Sequence, residues 1–229
     1  VTLASSTLTV GGDYSVTGSE AFAHNNGEVI LLVEDADDVR ANGSSFNNVR
    51  IKGGTGSWYD NSWLGRVPLT INQTEVEEGV TNFPVYVNLD DFPDSFFSGV
   101  QTDGDDIRVT NADGTTEIPY ELVAIDTSAK TGELHFKATL SSTTDSEFYV
   151  YYNNASVAGY SATSTYGRNN VWTNGFVAVY HMEQSPTASA PQYVDSTGSS
   201  TGTSVNMESG DRQTGQVGQA ADLDGTNEY

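Results

Sequence analysis

The chain has 229 residues, with 9 Lys and Arg against 31 Asp and Glu, for a formal net charge of −22. Cysteine is absent, which excludes a disulfide framework, a Cys-ligated metal and a thiol nucleophile. So acidic a chain repels phosphate backbones and anionic lipid, and its longest aliphatic run, Val29–Val33, falls far short of the roughly 20 apolar residues of a membrane helix; neither nucleic-acid binding nor membrane insertion is expected.

The elements read as strands almost throughout. Short runs at Thr7–Val10, Glu28–Val33 and Phe46–Lys52, separated by Gly-Gly and Asn-Gly turns, mark residues 1–56 as one strand-rich segment. Period-2 alternation then recurs. Val85, Val87 and Leu89 face one way, as do Ile118, Tyr120, Leu122 and Ala124. In Glu133–Leu140, Leu134, Phe136, Ala138 and Leu140 form the apolar face, and Glu133, His135 and Lys137 the polar one. Phe148, Val150 and Tyr152 close the series. Asp103-Gly104, Asp113-Gly114, Thr131-Gly132 and Asn153-Asn154 are the turn signals between the strands. Phe92–Phe97 is the best short helical turn, opened by Asp91 and Pro93 and stopped by Gly99. After residue 172 a single apolar strand is expected at Phe176–Met182. Then comes a loop-rich stretch, with Ser185–Gly202 either a long surface loop or a linker. This texture predicts an all-β chain built on an antiparallel β-sandwich, divided at residues 1–56, 57–172 and 173–229.

Candidate chemistry is sparse. Asp103, Asp105 and Asp113, with Asp106 and Asn111, form the densest oxygen cluster, a set that calcium could use, although the spacing is not an EF-hand. The alternative is a set of Asp-Gly turns around a strand, with Arg108 neutralising its neighbours. Glu34-Asp35-Ala36-Asp37-Asp38 is a second acidic group, expected to be a solvated loop. Trp58, Tyr59 and Trp63 could stack on a sugar ring or fill a joint between domains. His24, His135 and His181 show no H-x-x-x-H or H-E-x-x-H spacing and read as structural or surface residues. No G-x-S-x-G, P-loop or G-x-G-x-x-G motif occurs, and no catalytic activity is expected. Three N-x-S/T sequons begin at Asn42, Asn72 and Asn154.

Several ordered motifs resemble a known family. Trp63-Leu64-Gly65-Arg66-Val67-Pro68-Leu69-Thr70-Ile71 comes first, and Thr81-Asn82-Phe83-Pro84-Val85 follows. Then come the run from Asp103 to Gly114, Ile118-Pro119-Tyr120-Glu121, and Phe148-Tyr149-Val150-Tyr151-Tyr152-Asn153-Asn154. Together, over Trp58–Trp172, they resemble DUF2341, a β-rich module of large secreted bacterial and archaeal proteins. That family usually carries Gly where this chain has Asn153, and Asn tolerates the left-handed geometry that Gly provides there. The motifs Ala178-Val179-Tyr180-His181-Met182-Glu183, Asp195-Ser196-Thr197-Gly198 and Gly215–Tyr229 resemble the opening of a laminin-G/concanavalin-A-like jelly roll. That likeness implies Asp195 and Asp224 as further calcium ligands. The rhythm of Thr7–Tyr14 and Phe46–Ile51 is similar to the β repeats of bacterial surface solenoids.

Both outer regions read as cut, and the chain, starting at Val1, reads as a segment or processed product with any signal peptide outside it. The strand edges of a partial jelly roll would need cover from further polypeptide or from a neighbouring subunit. The expectation is therefore a non-catalytic extracellular or cell-surface protein, structural or adhesive. It would be a filament subunit joined head to tail by β-strand contacts, or one module of a long chain. The alternative is a calcium-assisted glycan-binding module, with calcium the only cofactor implied.

Overall fold

The computed structural model describes residues 58–229 in full and, within residues 1–57, the backbone of five short strands. The chain divides into two compact units, Val1–Ser57 and Trp58–Tyr229. Residues 57–172 and 173–229, separate in the sequence reading, thus fall almost wholly within one unit.

In the first unit, β1 (Leu8–Gly11), β3 (Glu28–Val33) and β5 (Asn48–Gly53) pair in parallel in the order β1-β3-β5. Leu8 lies opposite Val29 and Glu28 opposite Asn48, so successive partners are 21 and 20 residues apart. The two-residue strands β2 (Tyr14–Ser15) and β4 (Val39–Arg40) pair in parallel as well. His24, the Glu34–Asp38 cluster and the sequon at Asn42 lie outside the described residues.

The second unit is an antiparallel sandwich. One sheet runs in the order β10 (Tyr120–Asp126), β11 (Thr131–Leu140), β7 (Val80–Asn88). The other runs β6 (Gly65–Ile71), β12 (Ser146–Tyr152), β8 (Arg108–Asn111), β9 (Glu117–Ile118). The apolar face predicted from alternation is the buried one: Val85, Val87, Leu134, Phe136 and Ala138 meet Val109, Phe148 and Val150 in a single core. Phe136 and Phe148 touch across it, ring centroids 4.9 Å apart. The short helix α1 (Asp94–Gly99) follows Pro93, as its residues predict, and plugs one end of the core with Phe96 and Phe97. Asn153 sits at φ +68°, the left-handed geometry expected of it.

Two local expectations differ from the structure. Thr131 and Gly132 open β11 rather than forming the turn. The chain reverses before them, and Lys130 takes the positive φ of +59°. Phe176–Met182 is not a regular strand. Phe176 and Val177 are exposed, and Met182 has φ +55°. The segment bonds instead to a loop, Ser196 donating its N–H to the Val179 carbonyl at 2.8 Å. The rest of 183–229 is mostly irregular, with one short 3-10 turn at Ser209–Asp211. Its regular pairing consists of a hairpin, β13 (Arg212–Thr214) with β14 (Gln219–Ala221), and a bridge between Tyr193 and Gly202. Ser185–Gly202 is no free linker, because Tyr193, Asp195 and Ser196 within it are buried.

Candidate functional site

Alternation that turns Leu134 and Phe136 inward must turn Glu133 and His135 outward. The register then sets a row across the three-stranded sheet, with Glu121 of β10 opposite His135 of β11, and His135 opposite Tyr86 of β7. A shift in the β10 register between Leu122 and Ala124 brings Glu133 opposite Ala124. This outer face is not left to solvent. Trp172 and His181 pack onto it, their rings 5.2 Å and 4.9 Å from the His135 ring.

The result is a nearly enclosed group of two carboxylates and two imidazoles. Glu133 Oε1 lies 2.8 Å from His135 Nε2 and 3.0 Å from His181 Nδ1. The other nitrogen of His181, Nε2, lies 3.2 Å from Glu121 Oε2. Glu121 is itself fixed: Trp172 Nε1 donates to its Oε2 at 2.6 Å, and Ser196 Oγ to its Oε1 at 2.6 Å. Burial works against charge on the His181 ring, but the two carboxylates outweigh it and raise its pKa to about 9. Burial likewise opposes ionisation of Glu133, and the hydrogen bonds from His135 and His181 outweigh it, lowering its pKa to about 2. Glu121 is shifted down in the same way, with His181 and Ser196 overcoming its burial. With a proton on each nitrogen, His181 therefore bridges two carboxylates. Among the described residues, Glu133, His135 and His181 are the one set of three His, Asp or Glu side chains close enough to share a metal ion.

The aspartates singled out in the sequence are not gathered in this way; Asp103, Asp113, Asp195 and Asp224 each accept from backbone N–H groups of their own turn. Asp103 accepts from the N–H of Asp105 at 3.2 Å. Asp113 accepts from the N–H groups of Thr115 and Thr116, which lowers its pKa. Asp105 lies beside Gly159 and offers its carbonyl to Arg108. Asp195, buried, accepts from the N–H groups of Val179, Thr197, Ser199 and Ser200 and from the Thr197 hydroxyl. These donors hold its pKa well below the usual carboxylate range against the cost of burial. Asp224 accepts from Thr226 at the exposed end of the chain. Asp106, a member of the same acidic cluster in the sequence, is fully buried and takes the N–H groups of Gln101, Asn153 and Asn154.

Trp58, Tyr59 and Trp63 are brought together, on the outer face of the four-stranded sheet. Tyr59 packs on Trp63 at 5.0 Å, and Trp58 on Tyr151 at 5.3 Å. Trp63 Nε1 donates to the Asp106 carbonyl, Trp58 Nε1 to the Trp63 carbonyl, and the Tyr59 hydroxyl to Glu117. Their polar atoms are thus spent within the protein. Two cations complete the layer: Arg66 lies 4.1 Å from the Tyr149 ring, and the buried Arg108 4.1 Å from that of Tyr160.

The His–Glu group escaped the sequence reading because its parts are far apart, Glu121 and His181 being 60 residues from each other. The available signal was partial. Two outward-facing residues, Glu133 and His135, stand two apart on a strand whose other face is apolar.

Residues 103–189 match the model of the family described as a domain of unknown function, DUF2341. The match starts later than the motif resemblance at Trp58 and runs past Trp172, so it takes in Glu121, Glu133, His135, Trp172 and His181 together. No curated protein and no solved structure matches the chain. What residues 103–189 resemble is thus a family without an assigned activity, and the outer-face cluster falls inside that stretch.

Proposed function

We propose that this chain is a non-catalytic structural module of an extracellular or cell-surface assembly, joined to its neighbours through the open side of its sandwich. The observation that carries this reading is the groove between two edge strands, β6 of one sheet and β7 of the other. Cavities of about 350 and 480 Å³ lie along it, lined by Val67, Leu69, Ile71 and Val85. Phe83 and Tyr86 stand exposed at its mouth, at 44% and 42%. An apolar strip on an otherwise strongly acidic surface is a feature that contact with another chain would bury.

Both edges carry a proline, Pro68 in β6 and Pro84 in β7, and neither can donate to an added strand. The joint therefore relies on buried apolar side chains with only short stretches of strand pairing. The high negative charge keeps such an assembly from clumping sideways. The parallel ladder of the first unit, repeating at about 20 residues, supports the solenoid-like reading of residues 1–56. The internal use of Trp58, Tyr59 and Trp63 supports a structural rather than a sugar-binding role for that face.

Negative-stain electron microscopy of the native material tests the reading. Fibres of constant axial repeat are expected, and they should disappear in a Phe83→Asp, Tyr86→Asp variant that remains folded. Discrete single-chain particles at high concentration would overturn it, as would fibres unaffected by the double substitution.

A further inference from the structure

We infer that Glu133, His135 and His181 form a site for one divalent transition-metal ion of the zinc class, which clasps β11 to the segment that follows Trp172. The inference stands apart from the assembly reading.

The donor set is two imidazoles and one carboxylate, the mixed nitrogen and oxygen environment that zinc favours over calcium or magnesium. Spacing is the second argument. Ligand atoms at roughly 2.0–2.1 Å from a tetrahedral zinc stand about 3.3 Å from one another. Here Glu133 Oε1 is 2.8 Å from His135 Nε2 and 3.0 Å from His181 Nδ1, so an ion needs the carboxylate to part from each nitrogen by only a few tenths of an ångström, with the two nitrogens free to adjust toward it by small side-chain rotations. All three ligand atoms lie within 4.8 Å of one another.

The surroundings supply the third argument. A metal-bound histidine characteristically hands its other ring N–H to a carboxylate, which fixes the tautomer that presents the free nitrogen to the metal. Glu121 stands in that position against His181 Nε2, and Trp172 and Ser196 hold Glu121 in turn. The ion would occupy the place of the proton on His181 Nδ1 and settle the negative charge of two carboxylates that otherwise depend on that proton. Three protein ligands leave one tetrahedral position for a water. The side chains of Glu133, His135 and His181 are only 7%, 8% and 12% exposed, which leaves little room for a substrate. The geometry therefore points to a clasp rather than a hydrolytic centre. His135 lies on β11, whereas His181 lies on a segment without a regular strand, so the ion would anchor backbone that the sheets do not hold.

The test is zinc binding by the chelator-stripped chain, measured by equilibrium dialysis with millimolar calcium and magnesium present to occupy surface carboxylates. One tightly held ion per chain is expected. His135→Ala and His181→Ala should each weaken binding more than about 100-fold, and Glu121→Gln, which keeps all three ligands, by about 10–100-fold. Asp113→Asn, at an exposed turn, should change nothing. Cobalt added to the unsubstituted chain provides a readout independent of whether the variants fold: the visible absorption of four-coordinate cobalt is expected. Zinc binding that survives both histidine substitutions, absence of a tight ion, or cobalt showing only the octahedral spectrum would each overturn the site.

Discussion

The two outer faces of the sandwich both bury charge, and they do so with different chemistry. On the four-stranded sheet the cation is Arg108. It donates to the carbonyls of Asp105 and Ala158 and to the Tyr120 hydroxyl, and pairs with Glu117 at 3.7 Å. A guanidinium cannot lose its proton in a protein, so this is a permanent clamp. On the three-stranded sheet the cation is His181, set between Glu121 and Glu133. An imidazole can give up its proton or exchange it for a metal. The sign of the carboxylate shifts records the difference. Burial dominates at Glu117 and raises its pKa despite Tyr59, Tyr160 and Arg108, whereas at Glu133 the histidines win and lower it. One face is built to be fixed and the other to be exchangeable.

Removing the clamp gives the largest expected effect. Arg108→Ala leaves the Glu117 carboxylate buried without its cation and should cost about 3–5 kcal/mol, read as a drop in the urea midpoint. An effect below 1 kcal/mol would mean that the two faces do not differ as described. On the other face, Glu121→Gln exchanges one acceptor oxygen for an amide donor that faces His181 or Ser196. A loss of about 1–3 kcal/mol is expected in the same assay.

Acid titration sharpens the contrast by sign. With chelator present, Glu133 is depressed to about 2, so its contribution is complete above the ordinary carboxylate value and is lost as pH falls toward 2. Glu117 is raised, so its contribution is complete below the ordinary value and declines as pH climbs through its folded pKa. Between pH 2 and 4.5 the stability difference between unsubstituted protein and Glu133→Gln should therefore grow with rising pH. The corresponding difference for Glu117→Gln should shrink as pH rises above 4.5. Parallel curves would contradict the assignment. On the alkaline side the raised pKa of His181, about 9, means that its contribution is full below pH 6.5 and lost as pH passes 9. The smallest effect on stability belongs to neither face. Phe83→Ser, at an exposed edge position, should change stability by no more than about 0.5 kcal/mol while weakening assembly.

Much of the second unit was legible in the sequence because its strands are buried on one side, and a period of two then records the burial directly. Leu134, Phe136 and Ala138 point to the core, and Glu133 and His135 point away, as their alternation implied. Pro93 and Gly99 bracket the one short helix for local steric reasons that need no tertiary information. Legibility ended where a side chain's partner is set by packing over long sequence distances. His181 lies on a segment whose apolar residues suggested a strand, yet that segment joins neither sheet, and it lies over the three-stranded face as loop. Nothing near His181 in sequence signals Glu121, and only the β10–β11 register brings Glu121 beside His135. The aspartates show the converse. Asp103 and Asp113 were conspicuous by type and spacing, and Asp195 by the jelly-roll likeness, but backbone N–H groups within a few residues use their oxygens.

The most direct test of the exchangeable face is crystallographic anomalous scattering at the zinc edge, on protein grown with one equivalent of zinc. The account predicts a single peak bounded by Glu133, His135 Nε2 and His181 Nδ1, with Glu121 still held by Trp172 and Ser196. A map without that peak, in which His181 bridges Glu121 and Glu133 directly, would contradict it.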